Sequence, residues 1–126
     1  MRHTRGAILV VSRNPDLADV RKNVLEKAEF TVFAASDILA VKRECAERKP
    51  DVVMIGYSLP PSEKRRVWHE IRRCGLTIPV LELHENGKPE LMDSTATFFH
   101  ASKTPDDFLA AIEQIVEQRK KERKPL

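Results

Sequence analysis

Hydrophobic residues in this chain occur in two kinds of segment: short continuous runs, and longer stretches in which they recur every three or four positions. The first kind is typical of strands that are covered on both faces, and the second of amphipathic helices. The short runs predict five strands, at residues 7–11, 30–35, 52–55, 78–83 and 97–100. Because helical segments separate them, the pattern predicts βα units and a parallel sheet.

Capping residues predict where the helices between these strands begin. A polar cap and a proline at the first helical position are both typical of a helix start. The predicted starts are Asn14-Pro15, Ser36 or Asp37, Ser62 and Pro105. In the first helix, helical spacing predicts one buried apolar stripe, formed by Leu17, Val20, Val24, Leu25 and Ala28. Residues 84–96 leave room for only a short helix, around residues 89–93.

This order of elements predicts an α/β fold of the flavodoxin-like type. We expect a three-layer sandwich with a five-stranded parallel sheet of strand order 2-1-3-4-5 and a shortened fourth helix. A chain of 126 residues has the size of one domain, which we place at residues 1–118, followed by a basic tail at 119–126. With five basic residues and one acidic residue, the tail has a net charge of +4. The whole chain is +3, so residues 1–118 sum to 3 − 4 = −1.

Charge and hydropathy also bound the partners and the location. A basic tail can contact nucleic acid or an acidic partner, but Lys and Arg are also favoured at solvated helix ends. We therefore do not expect a nucleic-acid partner.

No apolar stretch is long enough for a membrane span or a secretory signal, so we expect a cytoplasmic protein with no membrane partner. The two cysteines, Cys45 and Cys74, share no CxxC spacing and are expected to be reduced thiols packed in or near the core.

Ligand sites in such sheets lie at the carboxyl ends of the strands. The residues predicted there are Ser12, Arg13, Gly56, His84, His100 and Lys103. Two histidines without a third ligand are weak evidence for a metal, so no metal site is predicted.

Residues 50–60, with the sequence PDVVMIGYSLP, resemble the third strand and following loop of a response-regulator receiver domain of the CheY-like type. The resemblance extends over nearly the whole chain, from ILVVSRNP at residues 8–15 to the lysine at 103. In that family the position of Gly56 is an aspartate that accepts a phosphoryl group. Two acidic residues that hold Mg²⁺ are replaced here by Ser12 and Arg13. Lys64 stands where a glycine usually opens the third helix.

Lys103 matches the family's phosphoryl-contacting lysine, whereas His84 and His100 occupy the positions of its switch residues. Phosphoryl transfer to a receiver needs a carboxylate nucleophile and a divalent cation as well as a lysine. The resemblance therefore implies a degenerate pseudo-receiver: no enzyme, no cofactor, and a phosphorylation-independent role in two-component signalling. The expected partner is a signalling protein or a second copy of the chain. It would dock on the exposed side of the third helix, or on the face made by the last helix and the short fourth segment.

Two interpretations of the altered pocket remain open. Arg13, His84 and Lys103 can form a basic crevice that senses an anion or a nucleotide. Alternatively, Arg13 or Lys103 folds into the space that the missing carboxylates leave and holds the fold in one state. Glu82 lies within a predicted central strand, where an ionised group is costly unless it is paired, and we expect it to be solvated or paired with a histidine. Trp68 is expected in the core.

Overall fold

The computed structural model describes residues 5–56, 58–74, 78–84, 97–101 and 105–123, although not every side chain in the last three ranges. The strands are β1 (Ala7–Val11), β2 (Thr31–Ala35), β3 (Val52–Ile55), β4 (Val80–His84) and β5 (Thr97–Ala101). The helices are α1 (Pro15–Lys27), α2 (Ile38–Arg48), α3 (Pro61–Cys74) and α4 (Pro105–Arg123).

All the strand pairs of the sheet are parallel, and the strands lie in the order β2-β1-β3-β4-β5. The predicted α/β flavodoxin-like fold is confirmed. The strand starts predicted at residues 30 and 78 fall slightly early, since β2 begins at Thr31 and β4 at Val80. The short helix predicted around residues 89–93 lies outside the described residues.

Successive side chains of β1 pack alternately in two separate cores, one on each side of the sheet. Ile8 and Val10 pack with α1 and α4, whereas Leu9 and Val11 pack with α2 and α3. This alternation follows from the two-residue period of a strand, and it explains why β1 is apolar at every position. The fold therefore has three layers, with α1 and α4 on one face and α2 and α3 on the other.

Side-chain caps hold the predicted helix starts of α1 and α2. Asn14 Oδ1 accepts hydrogen bonds from the amides of Asp16, at 3.0 Å, and Leu17, at 3.2 Å. Asp37 Oδ1 accepts from the Ala40 amide at 2.8 Å. The two backbone segments therefore leave β1 and β2 and enter helices within a few residues, which keeps the loops at the carboxyl edge of the sheet short.

The predicted cap of α3, Ser62, is wrong, because the helix already begins at Pro61. The Lys64 amide donates to the Pro60 carbonyl oxygen at 3.0 Å, so this helical hydrogen bond spans Pro61, Ser62 and Glu63. Pro61 takes the first helical position, where its missing N–H is not needed. Further along α3, Trp68 is half-buried against the core, as predicted, and the Arg72 guanidinium lies 5.4 Å from its ring centre. Burial lowers the pKa of Arg72 from its ordinary value.

At the amino edge of the sheet, Asp51 joins β1, β3 and α4. Its Oδ2 atom accepts a hydrogen bond from the Ala7 amide at 2.8 Å, and its carbonyl oxygen accepts one from Arg119 Nη1 at 2.6 Å. The domain boundary predicted between residues 118 and 119 falls inside α4, which continues to Arg123. Among the helices in the described part of the chain, none has the length and apolar composition needed to cross a membrane.

Candidate functional site

Gly56 lies at the carboxyl end of β3, at the centre of the sheet edge where the site was predicted. It is buried, and its amide donates to the Val11 carbonyl oxygen at 2.9 Å, which extends the pairing of β3 with β1 by one residue. No side chain leaves the backbone at this point. The neighbours of Gly56 therefore determine what the centre of the site contains.

Arg21 of α1 occupies the space beside Gly56. A Cβ atom built on Gly56 would lie 2.5 Å from Arg21 Nη1 and 3.5 Å from Arg21 Cζ. Arg21 is only 3% exposed although it carries a charge. The guanidinium group thus lies where the side chain of any other residue at position 56 would begin. Arg21 was not among the predicted site residues, because it lies within α1 and not at the end of a strand.

Ser12 closes the loop after β1 through hydrogen bonds to neighbouring residues. Its Oγ atom lies 3.2 Å from Ser58 Oγ, donates to the Asn14 carbonyl oxygen at 3.1 Å, and lies 3.2 Å from the Asn14 amide nitrogen. Ser58 Oγ in turn accepts from the Arg13 amide at 3.2 Å. These contacts tie the loop after β1 to the loop after β3.

Arg13 lies elsewhere than expected. Its guanidinium forms an ion pair with the carboxylate of Glu63 in the first turn of α3, and its side chain is 55% exposed. It therefore does not fill the space left by the missing carboxylates; Arg21 does. No motif or spacing predicts this exchange, since Arg13 is adjacent to the predicted pocket in the sequence and Arg21 is not.

The remaining predicted site residues are described only in part. His84 ends β4 and His100 lies in β5, but the backbone register pairs His84 with Ala101 and His100 with Leu83. The two histidines are therefore not direct cross-strand partners. Lys103 lies outside the described residues. Within the described part of the chain, no group of three or more His, Cys, Asp or Glu residues is arranged to hold a metal ion.

A buried ion pair lies between α3 and β4, close to this edge. Lys64 Nζ donates to Glu82 Oε2 at 2.9 Å and to the Leu83 carbonyl oxygen at 3.2 Å. The expectation that Glu82 is solvated is wrong, because it is fully buried, and the sequence did not predict its ion pair with Lys64. Lys64 stands where the resemblance to receivers places a glycine, and Glu82 lies within a central strand. The ion pair between them explains why both charged side chains are buried here.

No family model matches this chain, and no curated protein matches it. Solved structures do. The chemotaxis protein CheY4 of Vibrio cholerae matches with a TM-score of 0.76 at 17% identity, over 86% of this chain and 97% of that one. A CheY-like receiver domain protein from Methanospirillum hungatei has a TM-score of 0.77 at 16% identity, over 92% and 97% of the two chains. The chain has the CheY-like receiver fold.

A third structure with this fold is the receiver domain of a sensor histidine kinase from Pseudomonas aeruginosa, with a magnesium ion coordinated in its active-site cleft. It matches with a TM-score of 0.76 at 18% identity, over 89% of this chain and 98% of that one. Identities this low show the shared receiver fold alone.

Proposed function

We propose that this chain is a receiver-like domain of the two-component type that signals through protein–protein contacts and is not controlled by phosphorylation. The observation that carries the proposal is the position of Arg21 against Gly56. Where the resemblance to receivers places a phosphoryl-accepting carboxylate, this chain has no side chain, and a guanidinium fills the adjoining space.

The chemistry of the surrounding residues supports the same proposal. An acyl phosphate needs a carboxylate nucleophile, and a divalent cation to offset the charge of the incoming phosphoryl group. At the positions of the metal-binding carboxylates, Ser12 hydrogen-bonds to Ser58 and Arg13 pairs with Glu63. A buried cation at Arg21 would also repel Mg²⁺ at short range. We therefore propose that the domain is not an enzyme and uses no metal or cofactor.

Without phosphorylation, a receiver-like domain has no chemical trigger at this edge to shift it between two conformations. Arg21 is packed between α1 and the end of β3, so it favours a single arrangement of that edge. We infer that the domain presents one constant surface to a protein partner. The signal then depends on the concentration of the domain or on the state of the partner. A cytoplasmic location belongs to the same proposal.

Sensing of an anion or a nucleotide is the alternative function. One of its three predicted contacts, Arg13, is already paired with Glu63, which weakens the alternative. The other two are His84, whose side chain is not described, and Lys103, which lies outside the described residues.

The test is an amide NMR titration of the isotope-labelled protein with Mg²⁺ and then with beryllofluoride, which mimics a phosphoryl group on a carboxylate. We expect no localised shifts around Gly56. The matched control is a variant with the carboxylates rebuilt, Ser12→Asp/Arg13→Asp/Gly56→Asp, combined with Arg21→Met to clear the space. This control should respond to Mg²⁺, because three carboxylates would then lie at one edge.

Saturable shifts in the unaltered protein would contradict the proposal and favour the anion-sensing function. A gain in mass of one phosphoryl group after incubation with acetyl phosphate would contradict it as well. Arg13→Ala separates these two results, since loss of Arg13 should weaken anion binding at the crevice but should not prevent phosphorylation of another residue.

A further inference from the structure

Two large hydrophobic side chains are exposed among those that the structure describes. Val20 of α1 is 49% exposed and Leu39 of α2 is 78% exposed. The exposure of Val20 corrects the sequence prediction, which placed it on the buried stripe of α1. Isolated apolar residues on a surface are common. These two differ in that exposed aspartates lie next to Val20, whereas exposed cations lie next to Leu39.

Val20 lies on an acidic part of α1. Asp16 is one helical turn before it, Asp19 precedes it directly, and both are exposed. Within the described part of the chain, neither aspartate is engaged in an ion pair. We call this surface the acidic ridge, defined by Asp16, Asp19 and Val20. It combines one apolar side chain with two carboxylates that are free to accept a cation.

Leu39 forms one wall of a cleft of about 290 Å³ between the start of α2 and the first turns of α3. The apolar part of its lining is formed by Val11, Ile38, Leu39, Leu59 and Val67. The charged residues of the lining are Arg13, Asp37, Glu63 and Arg66; Glu63 pairs with Arg13, and Asp37 Oδ1 accepts a hydrogen bond from the Ala40 amide. Lys42 follows Leu39 by one helical turn. Lys42 and Arg66 are both exposed and form no ion pair within the residues described. We call this surface the basic cleft, defined by Leu39, Lys42 and Arg66.

The acidic ridge and the basic cleft lie on opposite faces of the sheet. The helix that carries Val20 packs on the face of Ile8 and Val10, and the helix that carries Leu39 packs on the face of Leu9 and Val11. The two surfaces therefore cannot meet within one chain. They match each other in charge and in the presence of an apolar centre, and a contact between them requires two copies of the chain.

We propose that the acidic ridge of one copy docks into the basic cleft of a second copy, with Val20 against Leu39 and with the aspartates facing Lys42 and Arg66. A contact between two different surfaces is heterologous, so it produces a ring if its rotation closes and a filament if it does not. This inference deepens the proposed function, and rests on it, by naming a second copy as a protein partner.

A second copy explains both surfaces together, whereas other partners explain only one. A nucleic acid would suit Lys42 and Arg66 but would gain little from the exposed leucine between them, and it would be repelled by the acidic ridge. Charge complementarity over a small apolar centre favours a weak, salt-sensitive contact of the kind found at the low end of interface sizes.

Sedimentation velocity over a wide range of protein concentrations tests the proposal. We expect association that rises with concentration and weakens at least about tenfold between about 0.01 M and about 1 M salt, because screening then acts within about 3 Å. Asp19→Lys/Val20→Lys, which alters only the ridge, and Leu39→Glu/Arg66→Glu, which alters only the cleft, should each be monomeric. Lys121→Glu, an exposed charge change on α4, is the matched control and should associate normally.

Mixing the two variants provides the decisive measurement. The ridge variant keeps an intact cleft and the cleft variant keeps an intact ridge, so an equal mixture should form one-to-one dimers and nothing larger. The proposal is overturned if the unaltered protein stays monomeric at low salt, if either variant associates normally, or if the mixture does not pair. None of these results would bear on phosphorylation, which the NMR titration reads at Gly56. All the altered residues are exposed, and thermal unfolding checks that each variant is folded.

Discussion

Lys64 Nζ lies 2.9 Å from Glu82 Oε2 inside the layer between α3 and β4, and the two side chains are 4% and 0% exposed. The same nitrogen donates to the Leu83 carbonyl oxygen at 3.2 Å. Burial removes both charges from water at a cost that their attraction only partly offsets. Each charge therefore offsets the desolvation cost of the other, and the loss of one partner leaves the other charged and buried.

Lys64→Met or Glu82→Met should each lower the free energy of unfolding by about 3–5 kcal/mol, the usual effect of breaking a buried ion pair on one side. Urea unfolding followed by circular dichroism measures this. The double variant Lys64→Met/Glu82→Met should recover most of the loss, because no uncompensated charge remains. If the two single losses simply add in the double variant, the pair is not coupled and this account is wrong.

Gly56→Ala should destabilise the protein although glycine here has no unusual backbone conformation. The new Cβ atom would lie 2.5 Å from Arg21 Nη1 and 3.3 Å from the Val11 carbonyl oxygen. Because Arg21 is almost fully buried, its guanidinium has little room to move, and overpacking of this kind costs about 1–3 kcal/mol. Chemical denaturation of the variant and the unaltered protein gives the difference.

The control for this prediction is the same substitution in an Arg21→Met background. A methionine has no guanidinium and adapts its shape, so Gly56→Ala should cost clearly less there. Equal costs in the two backgrounds would show that the Val11 carbonyl, and not Arg21, limits the space at position 56. The double-mutant cycle separates the two contacts.

Much of the fold could be predicted because its signals are local. The apolar runs of β1 and β3, the caps at Asn14 and Asp37, and the resemblance of residues 50–60 to a receiver each depend on neighbouring residues. The start of α3 was misplaced because Pro61 and Ser62 are both good residues for a helix start, and only the Lys64 amide bond decides between them.

The contents of the site could not be predicted because long-range packing determines them. Arg21 reaches Gly56 from a helix 35 positions earlier, and no period or motif marks it as buried. The Lys64–Glu82 pair joins a helix to a strand 18 positions away. In both cases the sequence shows only one unusual residue, Gly56 or Glu82. It does not show which distant side chain fills the space beside the glycine or pairs with the glutamate.

Arg119→Ala should destabilise the protein by about 1 kcal/mol, since it removes the hydrogen bond of 2.6 Å from Arg119 Nη1 to the Asp51 carbonyl oxygen. Lys120→Ala is the matched control: it removes one positive charge from the next position, which is exposed, and should have little effect. Thermal unfolding of both variants measures the difference. Equal effects would show that charge in the last turns of α4 matters and the specific contact does not.

The two thiols should react at very different rates. Cys45 is buried and Cys74 is exposed. Burial, and then the neighbouring Cys74, raises the pKa of the Cys45 thiol to about 12. The thiolate is the reactive form, so a thiol reagent at neutral pH should label Cys74 quickly and Cys45 only through unfolding. Cys74→Ser should abolish the fast phase; a fast phase that remains in this variant would contradict the assignment.

The raised pKa of Cys45 also predicts how stability depends on pH. The unfolded chain releases this proton near the ordinary thiol pKa, whereas the folded chain holds it up to about pH 12. Between these values the folded state binds more protons than the unfolded state, so the free energy of unfolding falls as pH rises. The stabilisation is fully present below the ordinary thiol pKa. Cys45→Ala removes this contribution. The free energy of unfolding of this variant, measured in urea, should therefore fall less steeply above about pH 9 than that of the unaltered protein. Parallel curves for the two proteins would show that Cys45 titrates alike in both states.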